Sequence, residues 1–523
     1  MSYDAIVVGS GFGGAVAACR LVEAGQRVLV LERGRRWERE DFPRGPDDDW
    51  CFDVEEPRGR HGWLDLRFFP RMAVAQGAGV GGGSLVYANV SVPAQPFAFD
   101  SGWPEAISYS DLAPYQQRVG QMLEVCEVPS AQVSERHKLL KQAAEASGHP
   151  ERFRSLPLAV RFDPDWHYRL EEPHHRRHSR QSLNAYGKSQ GTCIHCGYCD
   201  IGCPVGARNT LDLNYLARAE QLGCDIRPLS LVRSLVPEGD GYRVTFQHLE
   251  GAPTIRHERA ERVILAAGSL GSTELLLRAR DQYRTLPELS PLLGHRWCAN
   301  GDFLTPAMYP NRRIDPCRGP TISAAIDFLD GIDQGRRYLV EDGGYPDLIG
   351  HALSRLLAHS SVAGMLRSGW RAVLAEALKH NDPDRCLMPW FGQGVDVADG
   401  VLRLSRRWLE REPALSLDYR VDASRSVVQA LCDRHKQLSE LTGGVAIEPP
   451  SWRLLDYLVT PHPLGGCPMG ENRWDGVVDH AGEVFGYPRL YVLDGAIVPR
   501  ALGLNPSRTI AALAERAMAR MLA

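Results

Sequence analysis

The stretch "YDAIVVGSGFGGAVAACRLVEAGQRVLVLERG", from Tyr3 to Gly34, constrains the fold of this chain more than any other. An apolar strand over Ala5 to Val8 runs into Gly9, Gly11 and Gly14, spaced G-x-G-x-x-G. Helical apolar spacing follows from Ala15 to Ala24 and stops at Gly25. A second strand, Arg27 to Leu31, ends in Glu32. The sum is a βαβ unit that binds a dinucleotide. Gly9 allows the tight turn, Gly11 lets backbone approach a pyrophosphate, and Gly14 lets helix and strand pack closely. The helix N-terminus offers unpaired N–H groups to the phosphates. Glu32 can accept hydrogen bonds from a ribose, which favours FAD or NAD over NADP.

A second glycine cluster, "QGAGVGGGSLVYANV" (76–90), suits neither a core strand nor a helix interior. The apolar Leu85, Val86 and Tyr87 directly behind it predict an ordered loop, with backbone brought close to the same cofactor.

At 523 residues the chain has room for two domains and a large core. Charge is nearly balanced, at −4, and lacks the basic excess that a nucleic-acid partner requires. No run of about 18 apolar residues marks a membrane span. The opening "MSYDAIVVGSG" has no features of a signal peptide, so the expected location is cytoplasmic. In that compartment the 13 cysteines are expected to be reduced.

Four of those cysteines fall within "GTCIHCGYCDIGCPVGARNT" (191–210). Cys193, Cys196, Cys199 and Cys203 are spaced C-x2-C-x2-C-x3-C and followed by Pro204, the bacterial ferredoxin pattern. The expectation is an iron–sulfur cluster, 4Fe-4S or 3Fe-4S. Zinc, free thiols and a redox disulfide are the alternatives, and no second C-x2-C knuckle is present to support zinc. Cys203 either closes the same cluster or leaves that place to a remote cysteine such as Cys224 or Cys467. His195, inside the run, is read as a surface bystander.

Three further segments point to a family. "ERVILAAGSLGSTELLLRAR" (261–280) reads as a buried strand, a small-residue turn and a helix. "HPLGGCPMG" (462–470) sets a histidine before Pro-Leu-Gly-Gly. "GYPRLYVLDGAIVPRALGLNPSRTIAALAERAMARM" (486–521) is a strand, Asp-Gly, a loop with Asn-Pro and a closing helix. With the N-terminal unit, and in the same order, these resemble the glucose–methanol–choline (GMC) oxidoreductases, and within them the cholesterol oxidase branch.

That resemblance implies an α/β fold: a Rossmann-like FAD-binding domain plus a substrate domain with an antiparallel sheet and helices roofing the flavin. The FAD domain would comprise 1–92, 205–300 and 455–523. The substrate domain would comprise 93–204 and 301–454, with the cysteine-rich insertion at 191–205. Gly9, Gly11, Gly14 and Glu32 match the family's pyrophosphate and ribose contacts. Gly79, Gly81, Gly82, Gly83 and Ser84, with Asn89, match the loop beside the flavin. Val232 falls at the adenine contact, and Asp494, Gly495 and Thr509 at the C-terminal FAD contact. His462 and Asn505 match the pair that faces the reacting alcohol carbon. Glu341 is the positional match for a carboxylate over the flavin that shuttles a proton between ring carbons; its alternative is a solvated loop acid.

The implied activity is FAD-dependent oxidation of a secondary alcohol on a bulky, hydrophobic, sterol-like or polycyclic substrate. Electrons would leave through the cluster to an external acceptor or pass to dioxygen. The ending "CPVGA" of the cysteine run is similar to that of cluster-bearing sugar dehydrogenases in the family, so a sugar or polyol dehydrogenase is an alternative. A flavoprotein isomerase or lyase with no net oxidation is another.

Elsewhere, 143–190 reads as a surface insertion whose "EEPHHRRHSRQS" run leaves His174 and His175 solvated. Residues 350–380 have the apolar spacing of one or two amphipathic helices, and 425–442 read as a further helix.

Overall fold

The computed structural model describes residues 3–523 apart from 46–47, 55–56, 58, 252–253, 348–382 and 407–411. The helices expected over 350–380 therefore lie outside the described residues.

The βαβ unit forms with β1 at Tyr3–Val8, α1 at Phe12–Glu23 and β2 at Val28–Leu31, β1 and β2 being parallel. These strands are buried on both faces, hence the near-continuous apolar run. Ala5, Ile6, Val7, Leu29 and Val30 are fully buried. Each large apolar side chain removed from water contributes about 1.5–3 kcal/mol.

β1 is also parallel to the C-terminal half of strand Thr254–Leu265, whose other half pairs antiparallel with Gly241–His248. Strands Ser230–Glu238, Asp225–Arg227 and Leu490–Val492 complete a seven-stranded sheet. The C-terminal helix Ser507–Met521 returns over α1. Its fully buried Glu515 takes two hydrogen bonds from Arg20, at 2.9 and 2.7 Å, and one from the Tyr215 hydroxyl at 2.8 Å.

A second sheet is wholly antiparallel. Its order is Val445–Ala446, Phe303–Met308, Leu387–Gly394, Tyr338–Asp342, Ala324–Asp327 and Phe153–Ser155. The helix expected at 425–442 spans Val421–Leu441 and buries Val427, Val428, Leu431 and Leu438. A smaller sheet, Leu458–Thr460, Met72–Gly77, Leu64–Phe69 and Cys51–Phe52, flanks the space between the two large ones.

All thirteen cysteines are unbridged. No helix among the described residues is long and apolar enough to cross a membrane.

Candidate active site

A cavity of about 1920 Å³ opens between the two large sheets. The parallel sheet lines it with Val8, Gly9, Gly11 and Glu32. The antiparallel domain contributes Leu304, Thr321, Ile322 and Phe391, and the C-terminal segments add His462, Asp494, Gly495 and Asn505.

Close approach, rather than flexibility, explains the two glycine clusters. Gly9 has φ +94°, and a Cβ at Gly14 would lie 2.1 Å from the Gly9 carbonyl oxygen. A Cβ on Gly11 would meet nothing within 4 Å, so this residue faces the open cavity at the N-terminus of α1. The second cluster lands on the first: a Cβ at Gly82, which has φ +51°, would sit 2.6 Å from the Gly11 Cα.

Glu32 lines the cavity and also locks its floor. One carboxylate oxygen accepts from the Ser10 N–H at 3.0 Å and hydroxyl at 2.6 Å, the other from the Gly34 N–H at 2.9 Å. Asp494 accepts from Gly268 N at 2.9 Å, Ala496 N at 2.8 Å and the Ser272 hydroxyl at 2.5 Å. Burial pushes its carboxyl up to about 6 against those bonds. Gly82, Gly83, Val232 and Gly495 also reach the lining.

Six residues expected to touch the cofactor, Gly14, Gly79, Gly81, Ser84, Asn89 and Thr509, sit off the lining. A Cβ on Gly79 would meet the Trp37 ring at 2.6 Å. Ser84 is fully buried, donates to the Gly81 carbonyl at 2.8 Å and so shapes the turn that contains Gly81. Asn89 is buried with φ +66° and accepts from Arg208. The buried Thr509 hydroxyl has no hydrogen-bond partner among the described residues.

His462 and Asn505 both line the cavity. Nδ1 of His462 is 2.8 Å from Oδ1 of Asp302, a carboxylate with only 1% of its side chain exposed. The Thr460 hydroxyl lies 2.6 Å from Asp302 Oδ2 and accepts from His462 N at 2.9 Å. Burial raises the Asp302 carboxyl, and the facing imidazole opposes that shift. Two residues earlier, Asn300 accepts from Leu502 N and Gly503 N and donates to the Leu504 carbonyl. The loop that delivers Asn505 is thus clasped by the turn that delivers Asp302. Neither Asn300 nor Asp302 is visible in the sequence pattern.

Glu341 is no solvated loop acid. It sits inside strand Tyr338–Asp342 with no exposure, hydrogen-bonded at 3.1 Å by Gln393 Nε2. Burial, then the charges of Asp342 and Asp302, hold its carboxyl well above the usual range. It lies off the cavity lining.

The four clustered cysteines border one small void of about 10 Å³, with Val160, Arg208 and Gly319. Two of the sulfurs receive a backbone N–H: Cys193 from His195 at 3.4 Å and Cys203 from Ala207 at 3.3 Å. Burial raises the Cys193, Cys196 and Cys199 thiols, that of Cys196 to about 12. Among the described residues no three metal-ligating side chains converge on one point. His195 is no surface residue: it is 1% exposed and stacked on Trp166 at 4.1 Å, and burial depresses it to about 3. His174 is likewise not solvated, since its Nδ1 lies 2.9 Å from the Ile194 carbonyl.

Residues 396–514 match the family described as GMC oxidoreductase, and residues 7–37 match the NAD(P)-binding Rossmann-like domain. The cholesterol oxidase of Mycobacterium tuberculosis (strain ATCC 25618 / H37Rv) is 31% identical, the match covering 98% of this chain and 90% of that protein. The chain belongs to the GMC oxidoreductase family. A cholesterol oxidase of Acinetobacter baumannii is 30% identical over 99% of this chain and 94% of its own length. Pyridoxine 4-oxidase from Mesorbium loti shares the fold, with TM-score 0.61 and 17% identity, over 99% of this chain and 98% of that one.

As a GMC oxidoreductase, the chain is an FAD-dependent enzyme acting on CH–OH groups. The cavity's chemistry fits that cofactor: Gly11 stands open at a helix N-terminus, where N–H groups suit an anion, and Glu32 and Val232 also line the cavity.

Proposed function

We propose that the enzyme oxidises a secondary alcohol on a bulky, apolar, sterol-like or polycyclic substrate to a ketone. One observation carries this reading. The cavity is lined by Phe68, Phe69, Leu304, Ile322 and Phe391, and the polar His462 and Asn505 line it too. Bound FAD supplies the two-electron acceptor for the carbinol carbon.

The protein's own residues handle the proton. With Asp302 ionised, Nδ1 of His462 carries a hydrogen, and Nε2 is left as the basic nitrogen for the substrate hydroxyl. The Asn505 amide can donate an N–H to the substrate oxygen. Glu341, whose carboxyl burial holds well above the usual range, acts on Asn505 electrostatically.

The cysteine pocket is proposed as a second redox site. Four thiols border one void, and two of them accept a backbone N–H, a device that tunes cluster potential. A zinc ion or the irons of a cluster alike need thiols that converge, and among the described residues these do not. A void of about 10 Å³ requires the loop to open outward around a cluster. Such a group would supply one-electron relay toward an external acceptor.

Anaerobic mixing with a panel of sterols and of sugars tests the substrate class. Sterols should bleach the flavin. Bleaching by sugars alone would replace this reading with the polyol dehydrogenase one. Iron and acid-labile sulfide analysis tests the second site, with loss of both in Cys196→Ser as the expected result.

A further inference from the structure

Thr460 is fully buried at the end of strand Leu458–Thr460, just before Pro461 and His462. Its hydroxyl stands among three polar groups. Oγ1 accepts the His462 N–H at 2.9 Å, and lies 2.6 Å from Asp302 Oδ2 and 2.9 Å from the Ala299 carbonyl oxygen. A hydroxyl has one hydrogen to give and here meets two acceptors. The shorter contact is to the carboxylate, and hydrogen bonds to an ionised acceptor are the shorter and stronger kind. The hydrogen therefore belongs to Asp302, with the Ala299 carbonyl as its weaker alternative.

The surroundings leave the hydroxyl little freedom. Thr460 pairs with Val74 in the sheet, and its β-branched side chain is stiff at χ1. Ala299 is itself held, its N–H donating to Asp396 Oδ2 at 3.0 Å. Asp302 is 2% exposed, and among the described residues Thr460 is the only side chain that donates to its Oδ2. The other carboxylate oxygen faces Nδ1 of His462 at 2.8 Å. Burial favours a protonated Asp302, and the imidazole and this hydroxyl oppose it. Glu341, Asp396 and Cys298 are further titratable groups whose charge couples to Asp302, and Arg500 bears on Cys298. None of these four hydrogen-bonds to Asp302 among the described residues.

We propose that Thr460 is a positioning residue for proton transfer: by giving its hydrogen to Asp302 it holds that carboxylate ionised, which keeps a hydrogen on His462 Nδ1 and leaves Nε2 free for the substrate hydroxyl. This rests on reading His462 as the base. Without the Thr460 hydroxyl, ionised Asp302 loses a donor and the protonated form gains ground. A hydrogen bond to the charged form of a carboxyl favours that form, so its loss moves proton uptake to higher pH. The enzyme then loses its base at a higher pH than the parent does.

Holoenzyme labelled with nitrogen-15 histidine tests this with no substrate present, His462→Ala identifying the signal. In Thr460→Val, similar in shape but lacking the hydroxyl, the titration of the His462 ring nitrogens should move up by about one pH unit, the tenfold change that loss of one charge-assisted hydrogen bond brings. Anaerobic flavin bleaching by the panel alcohol that bleaches the parent should slow about tenfold below the displaced limb and recover toward the parent as pH rises. Thr460→Ser, which restores the hydroxyl, should titrate as the parent does. Should Thr460→Val fail to accumulate, Thr460→Ala reads the same shift. An unmoved titration in a flavin-loaded Thr460→Val or Thr460→Ala protein overturns the proposal, as does a rate lost equally at every pH. A flavin-replete His462→Ala enzyme that bleaches at the parental rate instead removes the base reading, and this proposal with it.

Discussion

Oδ1 of Asp302 lies 2.8 Å from Nδ1 of His462, across 160 residues of chain. The contact fixes which imidazole nitrogen faces the cavity. In Asp302→Asn the side chain can still form a hydrogen bond but no longer favours a charged ring. Turnover should fall by a sizeable part of the about 10²–10⁴-fold that general-base catalysis contributes, and the pH–rate profile should move. KM should change less than kcat. A loss of rate with an unmoved pH profile would reduce Asp302 to a structural role.

Gly82 meets Gly11 where the two glycine clusters cross. Gly82→Ala places a methyl 2.6 Å from the Gly11 Cα at a backbone φ of +51°. The variant should retain its circular dichroism spectrum but purify with markedly less flavin. Full flavin occupancy would show that the loop can shift aside.

Asp396 gives a pH prediction with a definite sign. Burial lifts its carboxyl from an ordinary 3.8 to about 7, while Tyr419 OH and Ala299 N donate to it. A folded value above the unfolded one means that stability from this site is full below about pH 3.8. It then declines as pH rises toward 7. Asp396→Asn keeps an acceptor and cannot ionise. Relative to the parent it should gain Tm at pH 8 and gain nothing at pH 4, the difference reaching a few kcal/mol at most, since one pKa unit is worth about 1.4 kcal/mol. An equal difference at both pH values would contradict the assignment.

Glu341 is fully buried and off the cavity lining, with Asn505 among the groups that bear on its carboxyl. Glu341→Gln should therefore slow oxidation by disturbing Asn505, an effect smaller than that of removing His462. A variant that oxidises normally but loses a coupled double-bond shift would return Glu341 to the proton-shuttle role expected from the resemblance.

The βαβ unit was legible because every glycine there answers a local steric demand, and local demands leave local patterns. That His462 and Asn505 would both line the cavity was legible only through motif order. Asp302 and Asn300 left no trace, because their partners lie far along the chain and no periodicity marks them. Ser84, Asn89 and Thr509 sit off the lining because a motif fixes a residue's place in the chain, whereas packing decides which way its side chain turns. His195 and His174 read as solvent-facing from their polar neighbours, yet Trp166 and the cysteine loop bury one and cover most of the other.

The central claim is that bound flavin takes electrons from an alcohol whose proton His462 receives. Anaerobic stopped-flow bleaching of the flavin in the parent and in His462→Ala tests it most directly. The account predicts equal flavin content and at least about 100-fold slower bleaching in the variant, the lower bound of a general base's contribution. Bleaching at the parental rate in a flavin-replete His462→Ala protein would contradict it.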